Sequence, residues 1–144
     1  MRPLRPLSAI LGDASGKPDM AKTALWHDCL DAADELHPLT VIPRVGQPVI
    51  NWETIGEQFA RRFHVMPHIF FQIMRPSGRN WKDDMAYRLY ELIYGHDPTS
   101  DWTKCYQLFL DPNVQEWIKQ AVYQQKVGAA LESQAKKAID RALA

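Results

Sequence analysis

Between Gln58 and Lys82 the chain carries five bases and no acid: Arg61, Arg62, Arg75, Arg79 and Lys82. Over the whole chain 17 Lys plus Arg balance 17 Asp plus Glu. A net charge of zero excludes a general polybasic coat for nucleic acid or membrane, so anion binding has to rest on this strip. Guanidinium and ammonium groups pair with phosphates. Five such contacts to duplex DNA would give binding a log–log salt slope of about −4 to −5. Within the strip, His68 and Gln72 can hydrogen-bond to base edges. The same stretch holds Met66, Phe70, Phe71 and Met74. If exposed together, these four would form an apolar surface suited to a protein partner instead.

Other spacings carry less chemistry. His64 and His68 are four apart, as metal ligands on one helix face are, but Pro67 intervenes and no third ligand is near, so no metal is expected. His27-Asp28-Cys29 lies on an amphipathic segment, where Cys29 is expected in the core. Asp83 and Asp84 are adjacent, so on a helix they point apart; they suit the positive end of a helix dipole rather than acid–base catalysis. There is no Gly-rich phosphate loop, Gly-x-Ser-x-Gly, His-Glu-x-x-His or Cys/His pairing. Neither an enzyme nor a cofactor is therefore expected. Cys29 and Cys105 form no CxxC motif and are expected as free thiols in a reducing, cytoplasmic setting. The apolar run at 7–11 is too short for a signal peptide, and no stretch reaches the ~20 apolar residues of a membrane span.

These side chains need elements to position them. At 144 residues, 46% apolar and 24% charged, the chain has the size and composition of one globular domain. Pro3, Pro6, Gly12, Gly16 and Pro18 predict a flexible arm over 1–18, followed by a single mainly α domain over 19–144. A helix is expected over 20–36, with Leu25/Trp26, Cys29/Leu30, Ala33 and Leu36 as its apolar stripe and His37-Pro38 as its stop. Its other face is acidic, with Asp28, Asp31, Asp34 and Glu35. Residues 38–51 hold Pro38, Pro43, Gly46 and Pro48 between β-branched pairs, which leaves a short edge hairpin or an extended connector. Helices are then expected over 54–63, 67–74, 82–94, 101–110 and 113–143. Pro67 is placed in a first turn, Gly95 at a C-cap and Asp101 at an N-cap. The long last helix has a phase slip near Gly128 that admits a kink or a division in two, and its alanine-rich second half admits an oligomerisation arm or packing on its own domain. Between 81 and 109 the dense aromatics Tyr87, Tyr90, Tyr94, Trp102, Tyr106 and Phe109 fit core packing better than stacking on single strands.

From Gly56 to Met74, two short helices meet at a tight turn. Ala60 is the small residue where they cross, Val65 the plug between them, and Phe59, Phe70 and Ile73 the core face. This is helix-turn-helix spacing. Together with Gly78-Arg79-Asn80-Trp81-Lys82-Asp83-Asp84-Met85-Ala86-Tyr87-Arg88-Leu89, the segment 54–95 resembles the phage-repressor (Cro/C1-type) family and the branch containing the HigA-type antitoxins. The resemblance implies a DNA-binding regulator or accessory protein of phage or plasmid type, acting on duplex DNA as a homodimer. Arg61, Arg62, Arg75, Arg79 and Lys82 would hold phosphates, and His68 and Gln72 would read bases. The chain departs from the family in three respects. His64 stands where glycine is usual, the Pro-rich 38–51 stands where a first helix is usual, and the second helix is unusually apolar. The alternative is a protein–protein module, an inhibitor or assembly subunit, docking through Met66, Phe70, Phe71 and Met74.

Overall fold

The computed structural model describes residues 20–76 and 82–143. The expected arm at 1–18, and the turn residues Gly78 and Arg79, lie outside the described residues. The chain is mainly α, with no strand among the described residues. Among the described residues six helices run α1 (Met20–Leu36), α2 (Trp52–Phe63), α3 (Pro67–Ile73), α4 (Lys82–Tyr94), α5 (Asp101–Gln107) and α6 (Pro112–Leu143). Short 3₁₀ turns follow α1 at His37–Thr40 and α5 at Leu108–Leu110.

The helix ends follow local chemistry. Asn51 caps α2 by accepting the Thr54 N–H at 3.1 Å, which starts the helix two residues before the expected position. Ser100, not Asp101, caps α5 by accepting from the Trp102 N–H. Asp111 accepts the Asn113 N–H ahead of α6, with Pro112 at the first helical position where its missing N–H costs nothing. Gly95 follows α4 as expected, its N–H bonded to Glu91 O at 2.9 Å; a Cβ there would lie 2.8 Å from that same oxygen.

The Pro-rich segment takes the connector form, not the hairpin. Its backbone turns once, with Gln47 N–H bonded to Arg44 O and Gly46 at φ +88°, a conformation that suits glycine. Where the connector meets α2, Asn51 and Gln125 of α6 exchange two hydrogen bonds. Asn51 N–H donates to Gln125 Oε1 at 2.8 Å, and Gln125 Nε2 donates to Asn51 O at 3.1 Å.

Two packing units make the core. In the first, α1 lies along α4. It buries Trp26, Cys29, Ala32, Ala33 and Leu36, while α4 buries Met85, Ala86, Leu89, Tyr90 and Ile93. Trp26 meets Tyr90 edge-on at 5.8 Å. The second is an aromatic hub around Phe59. Its ring contacts Phe63 at 4.7 Å, Phe70 at 5.0 Å, Phe109 at 5.3 Å and Trp117 at 5.7 Å, joining α2, α3, the second 3₁₀ turn and α6. Phe109 stacks on Phe59 while the other rings are tilted or edge-on to it, arrangements favourable beyond the area they bury. The aromatics of 81–109 mostly serve this core: Tyr87, Tyr90, Tyr106 and Phe109 are buried, while Tyr94 and Trp102 are exposed.

The last helix is one continuous element of 32 residues through Gly128, neither broken nor divided. Its first part buries Val114, Gln115, Ile118, Ala121 and Val122. Gln115 is satisfied there, donating from Nε2 to Phe109 O at 2.9 Å. From 131 to 143 every residue is exposed. No helix among the described residues is long and apolar enough to cross a membrane.

Candidate functional site

The corner between α2 and α3 is built from backbone outward. α2 ends at His64 with φ 57° and ψ 47°, the left-handed conformation that turns a chain sharply out of a helix. Its N–H returns to Ala60 O, and the Val65 N–H bonds the same oxygen at 3.1 Å. Val65 packs half-buried against the core and Pro67 opens α3, both as expected. Phe59, Phe70 and Ile73 are fully buried, so the faces expected inward are inward. One turn before Ala60, Gly56 also lies in close approach to α3. A Cβ on Gly56 would lie 2.7 Å from the Phe71 ring and 3.3 Å from Phe70. Phe71 is thus laid over Gly56 instead of projecting into solvent.

The apolar Met/Phe surface of the alternative reading is not formed as such. Phe70 and Met74 have no exposed surface, because α3 is covered on one side by the hub and on another by α4. Phe71 is half-buried, and Met66 remains exposed. A groove of about 280 Å³ is lined instead by His64, Val65, Met66, Ile69, Trp102 and Cys105, together with the acidic Asp101.

The bases occupy helix ends. Arg61 and Arg62 are exposed in the last turn of α2, where cations also oppose the negative end of the helix dipole. The Arg62 guanidinium lies 5.3 Å from the Phe63 ring centroid. Arg75 is exposed just after α3, and Lys82 is exposed at the start of α4, where it bridges to Asp34 at 3.2 Å. The acidic face of α1 therefore answers part of the strip. Glu35 of that face likewise pairs with Lys119 of α6.

The two expected base readers are engaged within the fold. Gln72 Oε1 accepts the Tyr106 hydroxyl at 2.7 Å, and the His68 ring packs 5.1 Å from Trp102. Arg88, which the sequence did not single out, donates from Nη1 to Gln72 O at 3.1 Å. Burial pushes the Arg88 pKa down; Asp84 opposes this and Arg75 adds to it, so the two arginines feel each other's charge. Tyr106, Trp102 and Arg88 lie 16 to 34 residues from their partners in the sequence. No local spacing could have pointed to them.

Neither cysteine is activated. Burial, with a smaller contribution from Asp28, pushes the Cys29 thiol up to about 12, and burial raises Cys105 as well. Both thiols are free. Among the described residues, no three His, Cys, Asp or Glu side chains are grouped to hold a metal ion. No protein-family model, curated protein sequence or solved structure matches the chain.

Proposed function

We propose that the protein binds duplex DNA through the α2–α3 corner, as a small cytoplasmic regulator or accessory factor of the type carried by phages and plasmids. The observation that carries this is the left-handed His64 between two helices of helix-turn-helix length, with exposed arginines at the helix ends on either side. Arg61, Arg62 and Arg75 hold phosphates, Arg79 belongs to the same strip in sequence, and Lys82 contributes less because Asp34 already faces it. With Gln72 Oε1 taken by Tyr106 and His68 against Trp102, affinity comes from the backbone of the duplex more than from base edges.

Fluorescence anisotropy on labelled duplexes across a salt series tests this. About four phosphate contacts predict a log–log slope near −3 to −4, and Arg75→Ala reduces its magnitude by about 1 on every sequence. Gln72→Ala should then change sequence preference little. No binding to any duplex at low salt would remove the proposal.

The groove at Met66 and Trp102 favours a second reading, a protein–protein module in which a partner's apolar side chain enters beside the corner. A flat duplex titration, with a co-purifying partner lost in Met66→Glu, would put this reading first.

A further inference from the structure

The outer part of α6 has an apolar face that its own body does not cover. By the 100° per residue of an α-helix, Val127 and Leu131 point about 140–180° away from Ile118, which is buried on the body. They are not a continuation of the packed face. Val127, Leu131 and Ile139 are 38%, 60% and 58% exposed, and a Cβ on Gly128 would meet nothing. Helices in proteins owe most of their stability to packing of such a face.

The exposed apolar side chains form one row at intervals of four, which starts at Tyr123 near the body and continues through Val127, Leu131, Ala135, Ile139 and Leu143. Rows of this kind are the ridges that interdigitate when two helices cross at about −50°. From Val127 outward the row is symmetric in size about Ala135, with two large residues, one small, and two large. A two-fold axis at Ala135 would run the helices antiparallel, set Leu131 beside the partner's Ile139 and bring the backbones closest at the alanines. The row winds by about 40° per step, so Val127 and Leu143, about 80° to either side of Ala135, lie at the edges of the contact. Charge fits the same arrangement. Glu132 and Lys136 share one flank of the row, and the two-fold brings each Glu132 to within about 3 Å, along the helix axis, of the level of the other copy's Lys136.

We propose that the occupant of this face is a second copy of the chain, in an antiparallel arm-to-arm crossing centred on Ala135. A single ridge covers less than the ~800 Å² per partner of a standard interface, so the dimer is weak and concentration-dependent. The inference does not rest on DNA binding, and its test needs no DNA.

Sedimentation equilibrium of the full chain over roughly 1–500 µM should show a monomer–dimer equilibrium. Leu131→Glu/Ile139→Glu should weaken it by at least about tenfold while leaving the thermal unfolding of the body in place. Glu132→Lys should weaken it, and Glu132→Lys/Lys136→Glu should restore it. Direction is read by oxidative cross-linking in a Cys105→Ser background, where Ala135→Cys should cross-link to itself and Val127→Cys should not. A chain monomeric throughout the range, a dimer unmoved by Leu131→Glu/Ile139→Glu, or efficient Val127→Cys self-cross-linking would each overturn the proposal.

Discussion

Along α6, one helix passes through two environments. Up to Val122 its apolar residues lie on the body, with Trp117 against Phe59 and Phe63, and Ile118 fully buried. Beyond 130 the same kind of residue recurs at the same kind of interval, yet all of it meets solvent. Nothing in the backbone marks the change, and the helix runs through Gly128 unbroken. Periodicity therefore reports that a helix has a face to bury. Whether that face is buried depends on where the rest of the chain ends up.

The widest separation between the regions should appear in stability. Phe59→Ala, at the hub, should cost about 3–5 kcal/mol in urea unfolding followed by tryptophan fluorescence. Leu131→Ala in dilute, monomeric protein should stay within about 0.5 kcal/mol. Similar costs at the two sites would erase the contrast.

Next comes alkaline pH, which acts on the body through Cys29. Its folded pKa of about 12 lies above the ordinary 9.0, so the folded state keeps a proton that the unfolded chain releases. The contribution is complete below about pH 9 and declines as pH rises from there toward 12. The urea midpoint should therefore fall across that window. At neutral pH a thiol-exchange reagent should label the less buried Cys105 first, and Cys29 only on unfolding. Equal labelling rates would contradict the burial described.

A smaller effect is expected at the corner. His64→Gly relieves the left-handed backbone and should stabilise by about 0.5–1 kcal/mol, whereas His64→Val should destabilise, both read from the thermal midpoint. The smallest should come from ending the chain after Gln125. That should leave body stability within about 0.5 kcal/mol while abolishing self-association.

Much of the fold was legible because strong punctuation set the helix ends. Pro38 after α1 and Gly95 after α4 place these helices at the expected residues. Asn51 and Ser100 were weaker markers, since neighbouring residues also suit caps, and α2 and α5 begin accordingly at slightly different points or under a different cap. The corner was legible down to His64, whose unusual place in a glycine position is matched by its φ of 57°. The site was less so. The inward face of α3 was legible at Phe70 and Ile73, but the burial of Met74 as well was not, and with it the loss of a continuous Met/Phe surface. His68 and Gln72 read as free polar groups until α5 is folded beside them, and that contact spans more than thirty positions. Lys82 belongs to a basic run in sequence but faces Asp34 in space.

The double hydrogen bond between Asn51 and Gln125 fixes the bearing of α6 where it leaves the body, and Asn51 also holds the first turn of α2. Asn51 therefore stands where the connector, the start of α2 and the middle of α6 meet. One amide side chain thus ties the long helix to the cap of another, so the two elements share a single anchor point.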